Sequence, residues 1–228
     1  MTYEGEFCVV FDLDGTLVNT APIIKKIIML MIYKRGGSYN KLKNIEYFFQ
    51  IGGEKLMHAA FKDLGYKKNE DLKEFRNILN KTFIPPQYIY LGIKDLLFNL
   101  KKRGISMAVC SNKPTKLSIK TLDNVGLLSY FKFVQGSEID LEKKPQTDLL
   151  FKLSNNLNSR NLVLIGDGEV DQETAHNFRI DYIHLGHGYG ELNSKLRLPV
   201  ANYDILNKTN NSSLIKILEN RTYSNDTI

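Results

Sequence analysis

Cysteine is scarce in this sequence, which has only Cys8 and Cys110 among its 228 residues. Each lies in a run of apolar and β-branched residues of the kind that forms a buried parallel strand. Neither has a nearby histidine or the spacing of metal ligands, so a disulfide and a reactive cysteine nucleophile are both disfavoured. We predict two buried, inert thiols in a reducing compartment.

Long apolar runs are also missing. The run at residues 7–11 is far too short to cross a bilayer. The six residues before it contain two acids and no basic residue, so they do not form a secretory signal. We therefore expect a cytoplasmic protein that has no membrane partner.

The sequence lacks the alternation of basic and aromatic residues that is typical of a nucleic-acid platform, although its net charge is +6. The excess is local, because residues 20–90 contain 13 Lys and Arg against 6 Asp and Glu, which leaves 18 against 19 elsewhere. Solvated helix faces would explain this excess, and so would a field that attracts an anionic substrate. We expect no nucleic-acid partner.

The hydrophobic pattern changes at about residue 92. After a strand predicted at 7–11, the periodicity favours helices alone, at 21–34, 45–50, 54–64 and 70–81, until two prolines end the series. Helices and strands then alternate. The predicted helices of this second part cover 94–103, 115–125 and 146–156, and its strands cover 105–110, 131–135 and 162–165 and lie near 182–185 and 203–205.

This order of elements predicts the fold class. Alternating strands and helices favour an α/β fold, a Rossmann-like parallel sheet covered by helices on both faces. The helical stretch interrupts that pattern as an inserted all-helical cap domain. We predict a core of residues 1–18 and 91–228 and a cap of residues 19–90, placed over the sheet edge where such folds bind ligands.

Acidic side chains follow the first predicted strand, in the run Asp12-Leu13-Asp14-Gly15-Thr16. Two carboxylates so close would repel each other unless a cation lay between them, and Mg²⁺ prefers such oxygen ligands. A calcium-binding EF-hand is excluded, because Leu17 and Ile23 stand where that loop needs glycine and glutamate. A plain acidic surface turn is the alternative.

Polar residues also follow later strands or precede helices on the same predicted side of the sheet. Ser111 and Asn112 follow the strand at 105–110, where a hydroxyl suits either a phosphate oxygen or a helix cap. Lys144 precedes a proline, and a lone lysine of this kind is usually exposed. Asp167 and Asp171 follow the strand at 162–165 and suit a metal site or a helix N-terminus.

Taken in order, the motifs Asp-x-Asp-Gly-Thr, Ser-Asn, Lys-Pro and Gly-Asp-x-x-x-Asp closely resemble those of the haloacid dehalogenase superfamily. Residues 90–114 and 164–190 resemble its phosphoglycolate phosphatase branch, and the insert has the size and position found there. The likeness covers nearly the whole chain and is weakest in the insert.

The resemblance implies a phosphatase that acts on a small phosphorylated metabolite. Asp12 would attack phosphorus and form an aspartyl-phosphate, and Asp14 would first protonate the leaving oxygen and then activate water. The presence of Asp14 argues against dehalogenation, since the dehalogenases of the superfamily lack an acid there. A sugar-phosphate mutase, a pyrophosphatase, a nucleotidase or a regulatory binding protein on the same fold are the alternatives.

The resemblance also implies the ligands of the site. Mg²⁺ would be held by Asp12, the backbone carbonyl of Asp14, Asp167 and Asp171. The residues that would hold the phosphoryl oxygens are Ser111, Asn112 and Lys144. Gly168 stands where the family commonly has Ser or Thr. The contacts made by the side-chain hydroxyl of that Ser or Thr must therefore be absent or be made by another group.

The insert carries a loop that resembles the substrate loop of the family only in its first glycine. We expect that loop, with Gly52 and Lys55, to select the leaving group, while a simple turn between helices is the alternative. A monomer or a homodimer is expected.

Overall fold

The computed structural model describes residues 6–38, 49, 52–196, 201–203 and 208–223. Its strands are β1 (Cys8–Phe11), β2 (Ser106–Pro114), β3 (Phe133–Ser137), β4 (Leu162–Gly166), β5 (Asp181–Leu185) and β6 (Ala201–Tyr203). Its helices are α1 (Ala21–Lys34), α2 (Gly53–Phe61), α3 (Lys68–Lys81), α4 (Ile93–Lys102), α5 (Thr115–Asn124), α6 (Asp148–Leu157), α7 (Glu169–Phe178) and α8 (Lys208–Tyr223). Short 3₁₀ turns occur at Pro86–Tyr88 and Leu128–Tyr130.

The six strands form one parallel sheet in the order β3-β2-β1-β4-β5-β6. Strand β1 lies in the middle, paired to β2 on one side and β4 on the other, and its four residues are fully buried. The strand order reverses between β1 and β4, and ligands bind at the carboxyl ends of strands at such a point. The residues that follow β1 and β4 are therefore the first place to look for a site.

Hydrophobic clusters cover both faces of the sheet. Alternate residues of β1 point to opposite faces, so Val9 and Phe11 pack with α4 and α8 while Cys8 and Val10 pack with α6 and α7. Both cysteines are buried and unpaired, and burial raises the pKa of each thiol to about 12. The predicted α/β fold with helices on both faces is confirmed, and so is the interpretation of the cysteines as inert.

Helices α1, α2 and α3 form a separate hydrophobic cluster, centred on residues such as Ile28, Met57 and Phe61. Two residues from outside this helical segment, Leu117 of α5 and the half-buried Tyr189, pack against the same cluster. The segment thus has a core of its own but shares its edge with the α/β part. The division at residues 19–90 stays a prediction, and the helix predicted at 45–50 falls outside the described residues except for Phe49.

Several predicted element boundaries were wrong by a few residues. Strand β2 was expected to end at Cys110 but continues to Pro114 through an irregular stretch, because its pairing with β3 resumes at Pro114 and Ser137. Strand β3 begins two residues later than predicted, after a 3₁₀ turn. Helix α6 begins at Asp148, two residues later than predicted.

The C-terminal region was predicted least well. Helix α8, which ends at Tyr223, was not predicted. Strand β6 lies two residues before its predicted position. The missed signal is the spacing of Leu214, Ile215 and Leu218, which places three buried side chains on one helix face. Within the described part of the chain, no helix has the length and apolar character needed to span a bilayer.

Candidate active site

Three buried carboxylates meet where β1 and β4 end. Asp12 follows β1 and Asp167 follows β4, and the register pairs Phe11 with Ile165, so the two acids leave neighbouring strands at the same level. Asp171 lies in the first turn of α7. Carboxylate oxygens of Asp12, Asp167 and Asp171 all lie within 4.8 Å of one another. The acids that the sequence assigned to one site are therefore brought together.

Lys144 is the cation of this cluster. Its Nζ donates to Asp12 Oδ1 at 2.6 Å, to Asp171 Oδ1 at 2.5 Å and to the carbonyl of Cys110 at 2.9 Å. Burial lowers the pKa of this amine, but the charges of Asp12 and Asp171 outweigh burial and raise the pKa above its ordinary value. The prediction that Lys144 belongs to the site, and not to the exposed surface, agrees with this geometry.

Asn112 fixes the backbone of Lys144. Its side-chain Nδ2 donates to the Lys144 carbonyl at 3.0 Å, and its Oδ1 accepts from the Lys144 N–H at 2.8 Å. Both ends of the amide are therefore used to position the lysine. Phosphate binding by Asn112 stays a prediction, and its side chain contacts the backbone of Lys144.

Asp14 stands apart from the three-carboxylate cluster. Its carboxylate accepts from the Nζ of Lys113, at 2.6 Å for Oδ2, and from Thr20 Oγ1 at 2.6 Å. The predicted metal contact of this residue was its backbone carbonyl, which these side-chain contacts do not involve. Ser111 is buried beside it, and its Oγ accepts from the Lys113 N–H at 3.2 Å.

Lys113 was not among the predicted site residues, although it stands in the same Ser-Asn-Lys-Pro run. The strand was predicted to end at Cys110, and a lysine beyond the end of a strand is usually exposed. Because β2 continues through it, Lys113 is instead 7% exposed and reaches the Asp14 carboxylate. Strand β2 extends into polar residues, and no hydrophobic pattern there indicates that the strand continues. Only the Ser-Asn-Lys-Pro motif marks these residues in the sequence.

Burial and mutual repulsion shift the titration of the acids. The pKa of Asp12 is raised, mainly by burial, with the charges of Asp171 and Asp167 adding to the shift and Lys144 opposing it. Burial, followed by the charge of Asp171, raises the pKa of Asp167 to about 7. The three carboxylates therefore carry more negative charge than the single positive charge of Lys144 can neutralise.

Asp167 is oriented by two donors from different loops. Thr16 Oγ1 donates to its Oδ1 at 3.0 Å, and the backbone N–H of Tyr189 donates to its Oδ2 at 2.7 Å. Gly168, at the position where the family commonly has a hydroxyl, offers no side chain for this purpose. In this chain Thr16 and Tyr189 hold the carboxylate.

The residues around the cluster fit a hard divalent cation. All three side chains offer carboxylate oxygens, the donor type that Mg²⁺ prefers. A Cβ at Gly15 or at Gly188 would collide with the carboxylate of Asp167, and a Cβ at Gly166 with that of Asp171. Gly15 also has a φ of +92°, which only glycine adopts readily. The backbone therefore leaves room for the carboxylates and for little else.

A cavity opens from Asp12 and Asp14 toward the helical segment. Its walls include Ser111, Gly52, Leu56, Phe75 and Arg76. Gly52, predicted to select substrate, thus lies at the cavity, while Lys55 is exposed on α2 and does not line it. The geometry therefore does not support a role for Lys55, and among the described residues of the helical segment the cation that lines the cavity is Arg76.

Tyr189 connects the acidic cluster to the helical segment. Its backbone N–H holds Asp167, while its hydroxyl accepts from the N–H of Ala21, at 2.9 Å, in the first turn of α1. That N–H has no partner inside the helix, because the first turn of a helix leaves its donors unpaired. One residue therefore joins the site to the start of the insert.

Replacing Tyr189 by phenylalanine is expected to lower the free energy of unfolding by about 1 kcal/mol, because the Ala21 N–H loses its acceptor in a partly buried place. Urea unfolding followed by circular dichroism measures the change. The control is Tyr33→Phe, which alters a tyrosine that is 57% exposed. Equal stability of the two variants would contradict this role of the hydroxyl.

Comparison with known proteins adds a finding that is independent of the geometry. Residues 9–185 match the family model described as haloacid dehalogenase-like hydrolase, which is well over half of the chain. The chain belongs to this family. The resemblance predicted from the motifs is confirmed.

This hydrolase has sequence and structural relatives over most of its length. It is 28% identical to a phosphoglycolate phosphatase of Rhodobacter capsulatus over 184 residues, which cover 79% of this chain and 84% of the relative. A Haemophilus somnus structure described as a predicted phosphoglycolate phosphatase is 21% identical with a TM-score of 0.72, covering 93% of this chain and 97% of the other. A Clostridium difficile β-phosphoglucomutase is 18% identical with a TM-score of 0.73, covering 94% and 98%. At these identities the structural matches show the fold.

Proposed function

We propose that this hydrolase is a magnesium-dependent phosphatase that uses Asp12 as a covalent nucleophile on a small phosphorylated metabolite. The observation that carries the proposal is the position of Asp12, which lies at the cavity and contacts Lys144 within a cluster of three buried carboxylates. Such a constellation suits phosphoryl transfer, where charge on the transferring group must be stabilised and the nucleophile held in line.

Asp12 and Asp14 divide the chemistry between them. An oxygen of Asp12 forms a bond to phosphorus as the bond to the leaving oxygen breaks, and Asp14 gives that oxygen its proton. In the second step Asp14 takes a proton from water, whose oxygen attacks phosphorus and releases Asp12. The contacts of Asp14 with Lys113 and Thr20 keep its carboxylate beside the cavity for both steps.

Asp12, Asp167, Asp171 and the backbone carbonyl of Asp14 hold Mg²⁺ in this proposal. The bound ion supplies charge neutralisation between the phosphate and the carboxylates. Thr16 and the Tyr189 N–H keep Asp167 in the orientation that this requires. Lys144 and Ser111 bind phosphoryl oxygens, and Asn112 keeps Lys144 in place.

The helical insert, residues 19–90 in our proposed division, covers this chemistry and selects the substrate. Its α1, α2 and α3 contribute much of the cavity wall, and the side chains that they contribute are apolar apart from Arg76. The relatives named phosphoglycolate phosphatase support a small phosphomonoester as the substrate, with phosphoglycolate the first compound to test.

Phosphate release from a panel of phosphoglycolate, hexose phosphates, nucleotides and pyrophosphate tests the proposal. We expect turnover of at least one compound with Mg²⁺, and its loss when EDTA is added, because the acidic cluster then lacks its counter-charge. Metal-independent turnover would contradict the proposed cofactor. Isomerisation of a sugar phosphate without release of phosphate would replace the phosphatase by a mutase.

A further inference from the structure

One half-buried cation lines the cavity and a second lies close to it, and neither has a part in the chemistry proposed above. Arg76 projects from α3 and lines the cavity that also contains Asp12 and Asp14. Lys143 comes from the loop of the α/β part that leads to Lys144, and its Nζ lies 3.5 Å from the place that a Cβ at Gly52 would take. Gly52 itself lines the cavity. The insert and the α/β part therefore each bring one cation to the same region.

Neither cation has a direct ion-pair partner among the described residues. The side chains of Arg76 and Lys143 form no hydrogen bond there, and Glu54 acts on both only through its charge at longer range. The nearby carboxylate is that of Glu54, and it is bound by Lys68 at 2.7 Å. The group of Arg76, Lys143, Lys68 and Glu54 thus carries three positive charges and one negative charge.

Burial makes this unneutralised charge costly. The pKa of Arg76 is lowered by loss of water around the guanidinium. The pKa of Lys143 is lowered by burial first and then by the charge of Arg76. Two like charges that are partly removed from water stay together only at a cost, and a bound anion would remove that cost. The arrangement is that of an anion-binding subsite.

We propose that Arg76 and Lys143 bind a second anionic group, a carboxylate or a phosphate, on the part of the substrate that leaves as the alcohol. The proposal deepens the proposed function and rests on it. The apolar side chains of Leu56 and Phe75 line the same cavity and contact the short carbon skeleton between the two anionic groups. Arg76 and Lys143 are thus specificity-determining residues, separate from those that bind the transferring phosphoryl group.

The test compares substrates that differ only in the second charge. Phosphoglycolate and ethylene glycol bisphosphate carry a second anionic group, and ethylene glycol phosphate carries a neutral hydroxyl in its place. We expect kcat/KM to be higher for the two compounds that carry the second anionic group. Arg76→Gln or Lys143→Gln should lower that value about tenfold or more, mainly through KM, because a charge-assisted contact is lost. Turnover of ethylene glycol phosphate is expected to stay unchanged.

Matched variants separate charge from structure. Arg76→Lys keeps the charge and should retain part of the preference, while Lys73→Gln removes an exposed cation of the same helix and should change nothing. If Arg76→Gln lowers kcat/KM equally for all three compounds, or for none, the proposed anion subsite is contradicted. The proposed phosphatase activity is not affected by that result. A preference for the carboxylate or for the second phosphate identifies which group the subsite takes.

Binding to the Asp12→Asn protein decides the subsite independently of turnover. Titration calorimetry is expected to show tighter binding of phosphoglycolate than of ethylene glycol phosphate, and Arg76→Gln in the same background should abolish the difference. If the wild-type protein hydrolyses none of the compounds, the proposed function fails while this binding difference still supports or overturns the subsite. Equal binding of the two compounds before the Arg76 change would overturn it.

Discussion

Asp12→Asn is expected to reduce phosphate release by at least about a thousandfold, because an amide is a very poor nucleophile and the covalent intermediate no longer forms. The substitution keeps the shape of the side chain and removes one of the mutually repelling charges, so the fold should be retained. Steady-state phosphate release with Mg²⁺ and the preferred compound of the panel gives the ratio of kcat values.

Two further measurements make this result specific to the nucleophile. Asp123→Asn, which changes an exposed acid on α5, should keep wild-type turnover. Rapid acid quenching of the wild-type protein with labelled substrate should trap the label on the chain, and the Asp12→Asn protein should trap none. Residual turnover of the Asp12→Asn protein above a tenth of the wild-type rate would rule out Asp12 as the nucleophile.

The stability of the metal-free protein is expected to fall as the pH rises from about 4 to about 7. The pKa of Asp167 is raised from 3.8 to about 7, mainly by burial and then by Asp171, so the folded state holds this proton more tightly than the unfolded state does. That contribution is complete below the unfolded pKa and is lost as the pH rises through the folded one, with a full size of up to about 4 kcal/mol.

The difference between the wild-type protein and Asp167→Asn isolates this contribution from other acids that titrate in the same range. Urea unfolding in EDTA at pH values between 4 and 8 should give a difference that grows with pH, to the disadvantage of the wild type, and levels off near 7. Added Mg²⁺ should stabilise the wild type increasingly over the same interval. A difference that does not vary with pH would show that Asp167 titrates normally.

The strand-end acids could be predicted from the sequence because their signals are local, whereas Lys144 was assigned to the site only through the family resemblance. Apolar runs show where β1 and β4 end, and parallel strands of one sheet bring the residues after them to the same edge. A motif that comes directly after such a run therefore has a predictable position in space, which is why Asp12 and Asp167 could be assigned to one site from the sequence.

The residues that were missed act through contacts between distant parts of the chain. Tyr189 reaches Ala21 across 168 positions, and Thr16 reaches Asp167 across 151. No periodicity or spacing records such a pair, because nothing in the sequence next to Tyr189 or Thr16 indicates the distant partner. The same holds for Arg76 and Lys143, whose common feature is the missing counter-charge and not any shared motif.

The three contacts of Lys144 have a consequence for how a substrate is received. A lysine ammonium has three N–H donors, and Asp12, Asp171 and the Cys110 carbonyl already supply three acceptors. In the proposed mechanism a phosphoryl oxygen therefore competes with these three acceptors for Lys144. If Asp12 is the acceptor displaced, substrate binding breaks the ion pair between Lys144 and the proposed nucleophile.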